Sequence, residues 1–235
     1  HIGPKFGIKW IILWLSSFLA DNIVTASKNS FPFKFNNLII TGHGINFEQF
    51  FNDKEKFELK NFLILSRISK SKNIENTIEN FKKIKNFEKC KLDIIGGTLN
   101  RSDEEYLEYL KTKYFQYKNI QFLGKKSHDT LPEILKKYDV SINNTSMGFF
   151  DKAVLESAAG GLICFYKSND FNFLYEESFQ NILLFKEDNL YEKINLLSLQ
   201  SNTSIIESIQ HSQKEAEKHS LYNVTTRLVK IFNAN

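Results

Sequence analysis

Seven short runs of β-branched and aromatic residues recur along the chain, separated by longer polar stretches. They read "NLIITG" (37–42), "NFLILSRI" (61–68), "KLDIIGG" (91–97), "IQFLG" (120–124), "DVSINN" (139–144), "GLICFY" (161–166) and "NILLF" (181–185). Most are continuously apolar rather than alternating, which predicts strands buried on both faces in a parallel sheet. The stretches between them repeat with helical spacing. "IENTIENFKKI" sets Ile74, Ile78 and Phe81 on one face, and "EEYLEYLKTKYF" does the same with Tyr106, Leu107, Leu110 and Tyr114. Alternating strands and helices with crossovers of a dozen or more residues predict an α/β fold, a twisted parallel sheet with helices on both faces.

Two segments fall outside that alternation. Residues 8–24, "IKWIILWLSSFLADNIV", are the most apolar part, but Lys9, two serines and Asp21 leave fewer uninterrupted apolar positions than the ~20 that span a bilayer. A helix buried between domains is the expectation, with a helix lying on a membrane surface as the alternative. Residues 203–232 read as one or two helices with a solvated outer face.

At 235 residues with 42% apolar content and 22 Phe, the chain can bury a sizeable core. The formal charge of +4 is spread among nearly as many acids, unlike a basic arm for nucleic acid. Cys90 and Cys164 form no CxxC pair and no metal-ligand spacing with the five His, so both read as core residues in a reducing compartment. The chain opens at His1 and its only methionine is Met147, so it is expected to be the later part of a longer protein.

Parallel sheets of this kind bind ligands beyond the carboxyl ends of their strands. Arg67, the Gly96–Gly97 pair, residues 143–147 and the loop after Tyr166 fall at that edge. Arg67 and Lys72, on a loop between a strand and a helix, have the charge and spacing to embrace a diphosphate. "SMGFFDKAVLESAAGG" adds a polar loop and a helix from about Asp151, whose amino terminus suits an anion. Glu156, a turn and a half inside it, is placed to accept hydrogen bonds from a ribose diol. Taken alone, Lys152 and Glu156 also fit a helix-surface ion pair.

These runs together, "LILSRISKSKN", "LDIIGG" and "NIQFLGKKSHDTLPEILKKYDVSINNTSMGFFDKAVLESAAGGLICF", resemble the carboxyl-terminal, donor-binding half of the retaining glycosyltransferases of the GT-B fold, the large family-four group. The resemblance covers about residues 8–190 and implies a Rossmann-like domain that binds a nucleotide-diphosphate sugar. In that family a Gly-Arg ends a strand, a Lys follows five residues later, and the pair grips the donor diphosphate. Arg67 and Lys72 match them, with Ser66 in place of the glycine, and are implied as catalytic. The family's Leu-Glu-Ala helix is similar to "VLESAAGG", which makes Glu156 the residue that holds the donor ribose. "IIGG" with Gly97 lies near the base, and Thr145, Ser146, Met147, Gly148, Asp151 and Lys152 complete the implied donor-binding set. One departure stands out: Gly148 occupies the place, eight before Glu156, where the family carries another glutamate.

No Asp-x-Asp motif occurs, and the resemblance implies donor binding without a metal or cofactor, the nucleotide sugar being a substrate. It also implies three parts. Residues 1–46 would close an amino-terminal, acceptor-side domain and form a hinge containing His43 and Gly44, with His43 structural. Residues 47–200 would form the nucleotide-sugar domain, and 201–235 helices that pack back toward the amino-terminal side. The expected activity is transfer of a sugar to an acceptor hydroxyl with retention, in cell-surface polysaccharide or glycolipid synthesis. Its partners would be a nucleotide sugar and a glycan or lipid-linked acceptor, without nucleic acid. The expected location is the cytoplasm, with peripheral membrane contact near Trp10 and Trp14. A noncatalytic nucleotide-sugar-binding module is the alternative. A sugar-nucleotide epimerase fits less well, because its chemistry wants acid and base groups that the sequence does not identify in the cleft-facing loops.

Overall fold

A computed structural model describes residues 7–233. His1 and the rest of 1–6, and positions 234–235 of the expected carboxyl-terminal helices, lie outside the described residues. Five parallel strands form the main sheet: β3 (Asn61–Leu65), β4 (Lys91–Ile95), β5 (Ile120–Gly124), β6 (Val140–Asn143) and β7 (Ile163–Tyr166), in the order β5-β4-β3-β6-β7. Phe62, Leu63, Leu92, Ile94, Val140, Ile163 and Phe165 are completely buried, as continuous apolarity requires of a sheet covered on both faces. Cys90 and Cys164 are buried free thiols.

The strand order fixes where the helices go. From β3 the chain steps outward to β4 and β5 through α3 (Ile74–Phe81) and α4 (Arg101–Tyr114). It then returns across the sheet through α5 (Leu131–Leu135) to β6, and continues through α6 (Lys152–Ala159) to β7. Right-handed crossovers put α3 and α4 on one face and α5 and α6 on the other. Ile74, Ile78 and Phe81 of α3, and Tyr106, Leu110 and Tyr114 of α4, are buried as their spacing predicts.

The "NILLF" run is not a strand. It falls largely in α7 (Glu177–Leu183), followed by a single bridge from Leu184 to Tyr166. Phe179 and Leu183, four apart, are the buried pair, so the helical period wins over a run too short to decide by itself. The chain continues through α8 (Leu190–Leu197), α9 (Asn202–Glu217) and α10 (Leu221–Asn233), so the final segment is two helices. They break where Ser220 bridges Ile45: the Ile45 N–H donates to the His219 carbonyl at 2.9 Å and the Leu221 N–H to the Ile45 carbonyl at 2.8 Å.

Ahead of the sheet stand α1 (Ile8–Leu19), a separate two-stranded parallel sheet of β1 (Ile23–Thr25) and β2 (Leu38–Ile40), and the single turn α2 (Phe47–Phe50). The expectation that 8–24 forms a buried helix is corrected: Ile8, Ile11, Ile12, Phe18 and Leu19 are all exposed. The described residues give α1 little to pack on beyond contacts such as Trp10 edge-on to Phe33. No described helix is long and apolar enough to cross a membrane.

At the carboxyl edge of the sheet the loops after β3 and β4 run in contact. The Ser66 N–H donates to the Ile95 carbonyl at 3.1 Å and the Ile68 N–H to the Gly97 carbonyl at 2.9 Å. A Cβ on Gly96 would stand 1.7 Å from the Ser66 carbonyl oxygen, whereas one on Gly97 would lie 3.3 Å from the Lys125 Cβ. Only glycine permits the first approach. Gly96→Ala is therefore expected to destabilise the fold by about 3 kcal/mol or more, against less than about 1 kcal/mol for Gly97→Ala, measured by urea unfolding. Equal effects would show that the two loops can part without cost.

Candidate functional site

The edge built by those loops encloses a cleft of about 320 Å³. Ser66 and Arg67 after β3, residues 96–99 after β4, Lys125 and Lys126 after β5, Leu131 at the start of α5, and Asp151, Lys152, Ala153 and Glu156 at the start of α6 line it. Arg67, Lys125, Lys126 and Lys152 make no ion pair and no side-chain hydrogen bond among the described residues. Both carboxylates on the wall already have hydrogen-bond partners. Glu156, 7% exposed, lies 3.0 Å from His128 Nε2, and Asp151 accepts from Lys72 Nζ at 2.6 Å. The walls thus carry unmatched positive charge, and with the α6 amides beside it the cleft suits an anion.

The sequence-predicted residues separate into three groups, with Gly148 apart from all of them. Arg67, Gly97, Asp151, Lys152 and Glu156 meet in the cleft. Lys72 and Thr145 stand behind its wall: Lys72 donates to Asp151 Oδ2 and, at 3.2 Å, to Thr145 Oγ1, and Asn143 Nδ2 donates to the same Asp151 oxygen at 3.1 Å. Ser146 and Met147 face a neighbouring groove of about 650 Å³ with Lys167 and the 185–189 loop. Gly148, at φ +88°, turns the chain over the amino-terminal segment, where a Cβ would stand 3.1 Å from the Asn29 carbonyl oxygen. The simple helix-surface pair of Lys152 with Glu156 does not form, because Glu156 turns to His128.

His128, Lys125 and Lys126 carry the part of the site that the motifs did not single out. The two lysines follow Gly124 at the end of β5 just as Arg67 follows the end of β3, so strand-end position was the available signal. His128 had none, lying on an exposed turn with its ring edge-on to Phe50. A larger hollow of about 790 Å³ between α3 and α4 is lined by Glu75, Glu79 and Glu105 with Tyr106 and Tyr109. Its three glutamates are paired with Lys113, Lys82 and Arg101, and Lys70 is the one cation among the residues that line it. Among the described residues no group of three or more His, Cys, Asp or Glu is arranged to hold a metal ion.

His43 sits near the mouth of the site, its ring 5.7 Å from that of Phe150. Burial and the charge of Lys152 hold its imidazole below the usual range, against an opposing pull from Asp151. His219 packs between Phe150 and Phe173 and against Gly42, which needs its φ of +76° and lack of Cβ to clear the ring. Burial and then Arg227 push the His219 imidazole down to about 4.

A family model described as glycosyl transferases group 1 matches residues 46–217. No curated protein matches the sequence. Among solved structures, Anabaena Alr3699/HepE in complex with UDP and glucose superposes with a TM-score of 0.78 at 12% identity, over 98% of this chain and 68% of its own. The pneumococcal O-GlcNAc transferase GtfA in complex with UDP and GlcNAc gives 0.69 at 15%, over 95% of this chain and 47% of its own. The C-terminal domain of a glycosyl transferase group 1 family protein, LpcC from Francisella tularensis, gives 0.62 at 18%, over 76% of this chain and 100% of its own. At these identities the likeness is one of fold.

The histidines make stability depend on pH with a definite sign. Above pH 6.5 both are neutral folded or unfolded, and their effect is nil. Between 6.5 and about 4 the unfolded chain binds a proton that folded His219 refuses, so stability falls as pH falls through that window. The expected loss from His219 is on the order of 3 kcal/mol, and urea unfolding of His219→Leu should show a shallower decline. Parallel pH profiles for the two proteins would remove His219 as its source.

Proposed function

Since the chain belongs to the glycosyl transferases group 1, we propose that its cleft binds the nucleotide-diphosphate sugar from which a hexosyl group is transferred, with retention, to an acceptor hydroxyl. The observation that carries this reading is the convergence of Arg67, Lys125, Lys126 and Lys152, all without ion pairs among the described residues, on one cleft whose carboxylates are already hydrogen-bonded. In the transfer the bond from the sugar C1 to the diphosphate oxygen breaks with its electron pair going to that oxygen, a bond from C1 to the acceptor oxygen forms, and the acceptor's proton passes to the departing diphosphate. Negative charge grows on the departing diphosphate, and the Arg67 guanidinium beside it lowers the energy of that state more than of the bound donor. Glu156, held by His128, is oriented to receive the ribose hydroxyls. Gly97 leaves the β4 loop low enough for a base to lie near Leu99 and Leu131.

The cations take the neutralising role in this reading, so donor binding is expected to persist in EDTA. Acceptors of the expected kind are glycans or lipid-linked sugars of surface polysaccharide or glycolipid synthesis. The work would be cytoplasmic, and the exposed apolar side of α1 supports contact with the inner face of a membrane. A division into 1–46, 47–200 and 201–235 remains part of the proposal, as does an acceptor site shared with an amino-terminal domain. One observation favours the noncatalytic alternative: Gly148 stands where the family has a glutamate, at a φ of +88° that side chains rarely adopt and with the Asn29 carbonyl oxygen 3.1 Å from where a Cβ would stand.

Thermal shift and calorimetry with UDP, GDP, ADP and TDP test the reading. One nucleotide at about a hundred times its Kd should stabilise the fold by roughly 2.7 kcal/mol. Arg67→Ala should abolish the effect and Glu156→Gln weaken it about tenfold. Absence of binding by all four would end the donor-site reading; binding without sugar transfer in the full-length protein would favour the noncatalytic module.

A further inference from the structure

Resting on the donor-site reading, we propose that this chain has exchanged the second diphosphate cation: Lys152 at the head of α6 supplies the ammonium, and Lys72 is retained as a structural ion pair. Lys72 leaves only 11% of its side chain exposed and Asp151 20%. The ammonium is shared between Asp151 Oδ2 at 2.6 Å and Thr145 Oγ1 at 3.2 Å. Asn143 adds a 3.1 Å hydrogen bond to the same carboxylate oxygen. Drawing Lys72 out to a phosphate would break this partly buried pair and leave the Asp151 carboxylate facing the anion, two costs of the same sign.

Lys152 bears neither cost. It is exposed, forms no ion pair among the described residues, and lines the cleft together with Arg67. As the first residue of an eight-residue helix it brings its charge to the helix end already favourable to anions. Asp151 has thereby given up capping: its side chain makes no cap hydrogen bond to α6 and serves Lys72 instead.

The exchange is tested by ranking losses of UDP affinity in calorimetry. Lys152→Ala should weaken UDP binding 10- to 100-fold with the unfolding temperature unchanged, and Lys152→Arg should recover most of it. Removing the whole ion pair, Lys72→Met with Asp151→Asn, should cost less affinity than Lys152→Ala. Lys72→Met alone should lower the unfolding temperature, and the double substitution should restore part of it. A larger affinity loss in the double variant than in Lys152→Ala, or no loss in Lys152→Ala, overturns the exchange while Arg67→Ala still reports the donor site. If neither UDP nor the other three diphosphates binds the parent protein, the exchange and the donor-site reading fall together.

Discussion

The handedness of parallel crossovers is the constraint on which the rest of this molecule depends. Because β3 feeds outward in one direction and the chain returns past it to β6 in the other, the loops that leave these neighbouring strands diverge to opposite faces. That divergence opens the sheet edge between them. Lys72 approaches from the β3 side and Thr145 and Asp151 from the β6 side, and they meet across the gap. The same edge is tightened on its other flank, where Gly96 lies against the Ser66 carbonyl and holds Arg67 at the rim. Charge placement here follows from backbone topology before any side chain is chosen.

Much of this was readable in the amino-acid order. Each of the five strands of the main sheet falls within a mainly apolar run, although Asp93 in β4, Gln121 in β5 and Ser141 in β6 interrupt theirs. Helix faces such as Ile74, Ile78 and Phe81 were equally plain. The misreadings share a cause. "NILLF" was long enough to be apolar but too short to show a period, and α1 was judged by composition although its neighbours in space, not its residues, decide what it buries.

The site was legible as a set of positions and illegible as a set of contacts. Arg67, Gly97, Lys152 and Glu156 converge as strand-end logic requires. The pairing of Lys72 with Asp151 joins residues 79 apart in the chain, and no local pattern encodes it. His128 reaches Glu156 from a turn that carries no motif. Gly148 shows the opposite case: a departure visible in the letters acquires a physical meaning only when its positive φ and the nearby Asn29 carbonyl are seen.

The bridge between Ile45 and Ser220 sets how force passes through the chain. Two backbone segments lie side by side there, tied by two hydrogen bonds, and α10 leaves from this point to be pinned by Arg227 on the Thr41 carbonyl at 2.8 Å. Drawing the 41–45 segment away from the start of α10 therefore costs these two backbone hydrogen bonds and the Arg227 contact together.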